Sequence, residues 1–113
     1  MKLNIDSEIF KQHPDLKIGV IIIKGVNNSR RISFVESLLR GVAAQKGKQY
    51  ANADLDTETM IHVWNQAYGK FGINPKKYLP SIASLLKRAQ KKKEIPHINA
   101  IVDLYNYFSL KGF

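Results

Sequence analysis

Hydrophobic and polar positions along this chain follow two periods. Lys2 to Ile5 alternates polar and apolar, as a short edge strand does, while Lys17 to Val26 is β-branched and almost wholly apolar in its middle, as a strand covered on both faces is. That second run predicts the central strand of a small sheet. Ser7 is placed to cap one or two helical turns through Phe10, Pro14-Asp15 makes a turn, and Gly25, Asn27, Asn28 and Ser29 close the strand as a loop.

From Arg30 the period changes. Ile32, Val35, Leu38, Leu39 and Val42 recur at three and four residues, which predicts an amphipathic helix weakened towards its end by Gly41 and Gly47. Asp54 to Glu58 supplies capping groups for a helix bearing Met60, Ile61, Trp64, Ala67, Tyr68 and Phe71, which ends near Gly72. Asn74-Pro75 turns the chain, and Pro80-Ser81 opens a helix with Ile82, Leu85, Leu86 and Ala89 on one side. After Pro96, Ile98 to Leu110 sets Ile98, Ile101, Val102, Tyr105 and Phe108 against Asn99, Asp103 and Asn106; a helix fits, and Ile-Val-Asp-Leu-Tyr also tolerates a strand.

The pattern predicts an α/β fold, a small sheet with several packed helices, in a single domain over residues 1–113. Two strands are fewer than a stable sheet needs. A second chain or self-association completing the fold is therefore an expected partner.

Charge adds to this picture. The formal net charge is +9, and between Thr59 and Lys93 there is no acidic residue, while Lys70, Lys76, Lys77, Lys87, Arg88, Lys91, Lys92 and Lys93 all fall inside that block. Such a block points to a polyanionic partner, the alternative being a solvated face. Lys91 to Lys93 also complement the negative end of a helix dipole. Phosphate contact is assigned to Lys76, Lys77, Lys87, Arg88, Lys91, Lys92 and Lys93. Trp64, Tyr68, Phe71 and Tyr78 interleave with lysines in a way that suits base stacking, but their helical spacing favours core, and base stacking is left unassigned.

Other chemistries drop out. The chain has no cysteine, so disulfides, thiolate nucleophiles and the commonest zinc sites are excluded. His13, His62 and His97 have no metal-ligand spacing, there is no Gly-x-Ser-x-Gly, and no glycine-rich phosphate loop appears, so neither metal nor cofactor is expected. The longest apolar run, Ile18 to Ile23, is six residues, against about 20 for a membrane span. With no apolar leader at Met1 to Asp6, a cytoplasmic protein that does not enter membranes is expected.

Asn99, Asp103 and Asn106 fall at i, i+4 and i+7, so one helix face carries all three. They either orient a water or a ribose hydroxyl, or hold neighbouring backbone in place.

The ordered set Pro80-Ser81, Leu85-Leu86, Arg88, Pro96, Ile98-Asn99, Val102-Asp103 and Asn106-Tyr107 resembles the B3/B4 domain of the phenylalanyl-tRNA synthetase beta subunit, and resembles its free-standing relatives more. Weaker likeness extends back through the Pro14 to Val20 and Trp64 to Lys77 stretches. The resemblance implies an α/β unit that binds tRNA and hydrolyses mischarged aminoacyl-tRNA esters, in trans for the free-standing members. It also implies that Asn99, Asp103 and Asn106 lie beside the editing cleft, and that the chain corresponds to the N-terminal half of such a unit. Pro96 departs from the bacterial synthetase pattern, which has arginine there, and matches the free-standing form. The alternative function is a non-catalytic RNA-binding or assembly module completed by a partner.

Overall fold

The computed structural model describes all residues from Met1 to Phe113. It contains α1 (Ser7–Gln12), α2 (Ser33–Gln49), a 3₁₀ turn (Leu55–Thr57), α3 (Thr59–Lys70), α4 (Ser81–Gln90) and α5 (Ala100–Lys111). There is no strand, and the expected sheet is absent. The α/β expectation is therefore corrected to an all-helical fold. The physical reason is visible at Lys17 to Val26: no second segment adopts a strand to pair with it, so the run stays irregular and solvent-facing, with Ile21 86% exposed. Lys2 to Ile5 is likewise without secondary structure.

α2 and α4 bury the apolar faces that their periodicity predicts, whereas α5 is turned over: Ile101, Tyr105 and Phe108 are exposed and the face bearing Asp103 and Leu110 is buried. α2 is the hub, packing on both α4 and α5. Leu39 and Val42 of α2, Leu55, Ile61 of α3, Ala83, Leu85 and Leu86 of α4, and Leu110 of α5 form the core. Burying the leucine, isoleucine and valine side chains among them contributes about 1.5–3 kcal/mol each. α5 is a helix throughout, so the strand alternative for Ile101 to Tyr105 is not realised.

Gly47 is not a weak point in α2 but the site where α2 and α4 meet. A Cβ added there would strike the Ala89 carbonyl oxygen, whereas one added at Gly41 would meet nothing within 4 Å. Gln90 locks the same junction, its Nε2 donating to the carbonyls of Tyr50 (2.7 Å) and Ala53 (2.8 Å).

The aromatic stripe of α3 is not core. Only Ile61 of that helix is buried, and Met60 and Trp64 are each 49% exposed. α3 rests on the 3₁₀ turn and projects its aromatic face outward. The radius of gyration is 16.0 Å, against about 13 Å for a compact domain of this length. The difference reflects the segment before α2, which lies off the helical core.

Candidate nucleic-acid interface

α4 ends in a turn that its sequence does not advertise. Lys92 N–H donates to the Ala89 carbonyl (3.0 Å) and Lys93 N–H to the Arg88 carbonyl (2.9 Å), the paired closure that normally places glycine in the left-handed position. Here Lys92 occupies it, at φ 53°. The same closure ends α3, where Gly72 does take that position at φ 71°. A non-glycine residue in this conformation costs roughly 1–2 kcal/mol. At Lys92 that cost goes with a positive charge at the mouth of a cleft.

The cleft, about 380 Å³, lies between α2, the end of α4 and the Glu94–Ile95 connection. Leu39, Ala43, Ala44, Gly47, Ala89 and Ile95 make it apolar, and Arg40, Lys48, Lys92 and Lys93 line it with four cations against the single acid Glu94. Its volume falls within the range of about 300–1,000 Å³ typical of ligand sites. Gly47 opens it, because the helix crossing there leaves no Cβ between α2 and α4. Arg40 and Lys48 lie outside the acid-free block and were not singled out by sequence. The signal available was their spacing on α2, which sets them on the face that meets α4.

The other expected phosphate ligands are distributed differently. Lys87 Nζ pairs with Asp56 (3.1 Å), and Arg88 Nη1 donates to the Glu94 carbonyl (3.1 Å), bracing the loop behind the cleft. Lys91 is exposed at the α4 terminus. Lys76 and Lys77 sit on the α3–α4 connection, where Lys77 Nζ lies 5.3 Å from the centre of the Tyr78 ring.

The polar face of α5 divides into three roles. Asn99 is the N-cap, its Oδ1 accepting from Val102 N–H at 3.0 Å. Asp103 is 1% exposed. Its Oδ2 accepts from His97 Nδ1 at 2.5 Å and its Oδ1 from Ile98 N–H at 3.3 Å. Asn106 lines a different cleft, of about 540 Å³, with Tyr68, Ser81, Ser84 and Arg88. The three residues thus do not converge on one opening.

His97, just before α5, is held in place rather than free on an exposed loop. Its ring is a quarter exposed and its Nδ1 is held by buried Asp103, which leaves Nε2 as the nitrogen without a side-chain partner. Glu36 Oε1 lies 3.9 Å from the same Nδ1. Arg31 grips Glu36 through two bonds of 2.8 and 2.7 Å, holding the Glu36 carboxyl below its ordinary pKa chiefly by hydrogen bonding. No group of His, Asp and Glu side chains forms a metal site, and no helix is long and apolar enough to cross a membrane.

Fold and cleft together define a small basic helical domain with an apolar, cation-rimmed opening between two helices. Residues 63–112 match the family model of the B3/4 domain, the family that the Pro80 to Leu110 run resembles. The match covers most of α3 and all of α4 and α5. No curated protein and no solved structure matches the chain.

Proposed function

We propose that this chain binds tRNA, taking unpaired nucleotides at the cleft between α2 and α4. The observation that carries the reading is the convergence of Arg40, Lys48, Lys92 and Lys93 on one apolar opening from segments far apart in sequence. Cations at the rim neutralise phosphates and release counterions, while an apolar floor accepts a base that has left its stack. An opening of about 380 Å³ admits one such base and excludes a helix. The B3/4 match supports RNA as the polyanion. The test is fluorescence anisotropy with intact tRNA and with the same tRNA trimmed of its unpaired 3′ nucleotides. Trimming lowers the affinity at least tenfold if the cleft takes unpaired residues; equal affinity for both would overturn the assignment.

A second activity, hydrolysis of mischarged aminoacyl esters in trans, is favoured by one observation, the His97–Asp103 pair. Asp103 is too buried to touch a substrate, so it acts as a positioning residue that fixes the imidazole with Nε2 free to take a proton from water. Asn99 and Asn106 support this site from the helix cap and the adjoining cleft. His97→Gln then abolishes deacylation of mischarged tRNA and leaves tRNA affinity unchanged. Undiminished turnover in that variant would remove His97 from the chemistry.

A further inference from the structure

The aromatic face of α3 serves neither the core nor the basic cleft. Trp64 on that face and Tyr105 of α5 are 49% and 61% exposed. The two rings line one small opening of about 200 Å³, with Met60, Tyr68 and the Pro80–Ser81 start of α4. Trp64 and Tyr68 meet edge to face, their ring centres 6.4 Å apart and their planes at 85°. Half-exposed rings in such a corner keep surface open to a further flat ring.

The surroundings select what that ring belongs to. No acidic residue lines this opening or the cleft of about 540 Å³ beside it, which holds Arg88, Ser84 and Asn106. The openings are also joined. Tyr68 and Ser81 line both of these, and Ile95 lines both the Arg88 cleft and the basic cleft. A track therefore follows α4 from Lys92 and Lys93 at its C-terminal end, past Arg88, to the aromatic opening at its first residues. The ten residues of α4 span about 15 Å, the rise of roughly four stacked nucleotides. No side chain caps the start of α4, so its positive dipole end adds to the attraction for an anion there. An occupant of the whole track needs negative charge along its length, flat rings at intervals and polar edges for Ser84 and Asn106. Unpaired RNA has all of these; a duplex keeps its bases in its own stack, and an acidic peptide lacks a ring at each step.

We propose that Trp64, Tyr68 and Tyr105 form a base-stacking site at the far end of this track, which holds a base of the same unpaired RNA strand that the basic cleft seats by its phosphates. The inference rests on the nucleic-acid reading of that cleft and adds a length requirement to it. A strand that occupies both ends gains from two linked contacts, whereas a shorter one makes only one of them at a time.

Trp64 is the only tryptophan, so its fluorescence reports the site directly. The whole chain is titrated with hexaadenylate, with diadenylate, and with linear polyphosphate, which has the charge and no base. Hexaadenylate quenches Trp64 emission, at concentrations about tenfold or more below those diadenylate needs. Polyphosphate binds with the salt dependence of a phosphate contact and leaves the emission unchanged. Tyr105→Ala lowers hexaadenylate affinity about fivefold or more and leaves polyphosphate affinity as it was; the Tyr105 side chain lies outside the core, so helical circular dichroism is retained. Lys92→Gln combined with Lys93→Gln weakens both ligands without changing the quench at saturation. Hexaadenylate that binds without quenching, equal quenching by polyphosphate, equal potency of the two oligonucleotides, or undiminished hexaadenylate affinity in Tyr105→Ala would overturn the stacking site and leave the cleft reading standing. Failure of hexaadenylate and polyphosphate alike to bind would overturn both.

Discussion

Gly41 and Gly47 lie in the same helix, and replacing each by alanine has opposite consequences. Helix propensity alone favours alanine at both, by about 1 kcal/mol. At Gly41 nothing opposes that gain, since the new methyl meets no atom within 4 Å. Gly41→Ala therefore raises stability by about 0.5–1 kcal/mol, or roughly 2–4 °C in melting temperature for a domain of this size. At Gly47 the methyl collides with the backbone carbonyl of Ala89, which sits in α4 and cannot swing aside as a side-chain tip would. Relief requires α2 and α4 to separate around Leu39, Val42 and Leu86, at an overpacking cost of about 1–3 kcal/mol. Opposed by the propensity gain, Gly47→Ala still lowers stability, by up to about 2 kcal/mol, and narrows the cleft it lines. Urea unfolding followed at 222 nm measures both variants. A Gly47→Ala variant as stabilised as Gly41→Ala would refute the close helix crossing and the cleft built on it.

Three further outcomes follow from the same geometry. Lys92→Gly relieves a left-handed lysine and raises stability by about 1 kcal/mol while weakening tRNA binding; tighter or unchanged binding would show that its charge is idle. Asn99→Ala removes the acceptor for Val102 N–H and lowers stability by about 1 kcal/mol, whereas Asn99→Asp keeps the cap and the stability; equal losses in both would mean that capping is not what Asn99 does. Glu36 has a folded pKa below the ordinary 4.5 because Arg31 hydrogen-bonds its carboxylate. Its contribution is thus present above that value and lost as the pH falls through the folded one. Glu36→Gln accordingly shrinks the difference in urea midpoint between pH 7 and pH 3, and an unchanged difference would assign acid sensitivity elsewhere.

Helical periodicity read α2 and α4 directly, because Leu39, Val42, Leu85 and Leu86 repeat at the spacing of one buried face. In α5 it found the helix but inverted its faces: Asp103, bonded to His97, is buried with Leu110, while Ile101, Tyr105 and Phe108 are exposed. It misjudged α3. Met60 and Trp64 repeat with the same spacing, yet periodicity reports that a face is apolar and not whether anything packs on it. The strand expectation failed for a related reason: Lys17 to Val26 has every local property of a buried strand, but a strand exists only by pairing, and no partner segment lies in the 113 residues. Within the candidate site, Lys92 and Lys93 were legible from charge alone. Arg40 and Lys48 were not, since their relation to the end of α4 depends on the Gly47 crossing. The same limit applies to His97, whose significance comes from the carboxylate of Asp103 six residues away, folded back onto its Nδ1.

The most direct measurement is the salt dependence of tRNA affinity for the wild-type chain, for Lys92→Gln combined with Lys93→Gln, and for Lys87→Gln. Contacts to unpaired RNA contribute about 0.7 to the log–log slope per phosphate, so a cleft using its four cations gives a slope near −3. The double variant flattens it by about 1.4. Lys87→Gln, whose ammonium already sits on Asp56, leaves it in place. A slope that falls with Lys87 and not with Lys92 and Lys93, or tRNA binding that is indifferent to salt, would contradict the assignment of the cleft as the nucleic-acid interface.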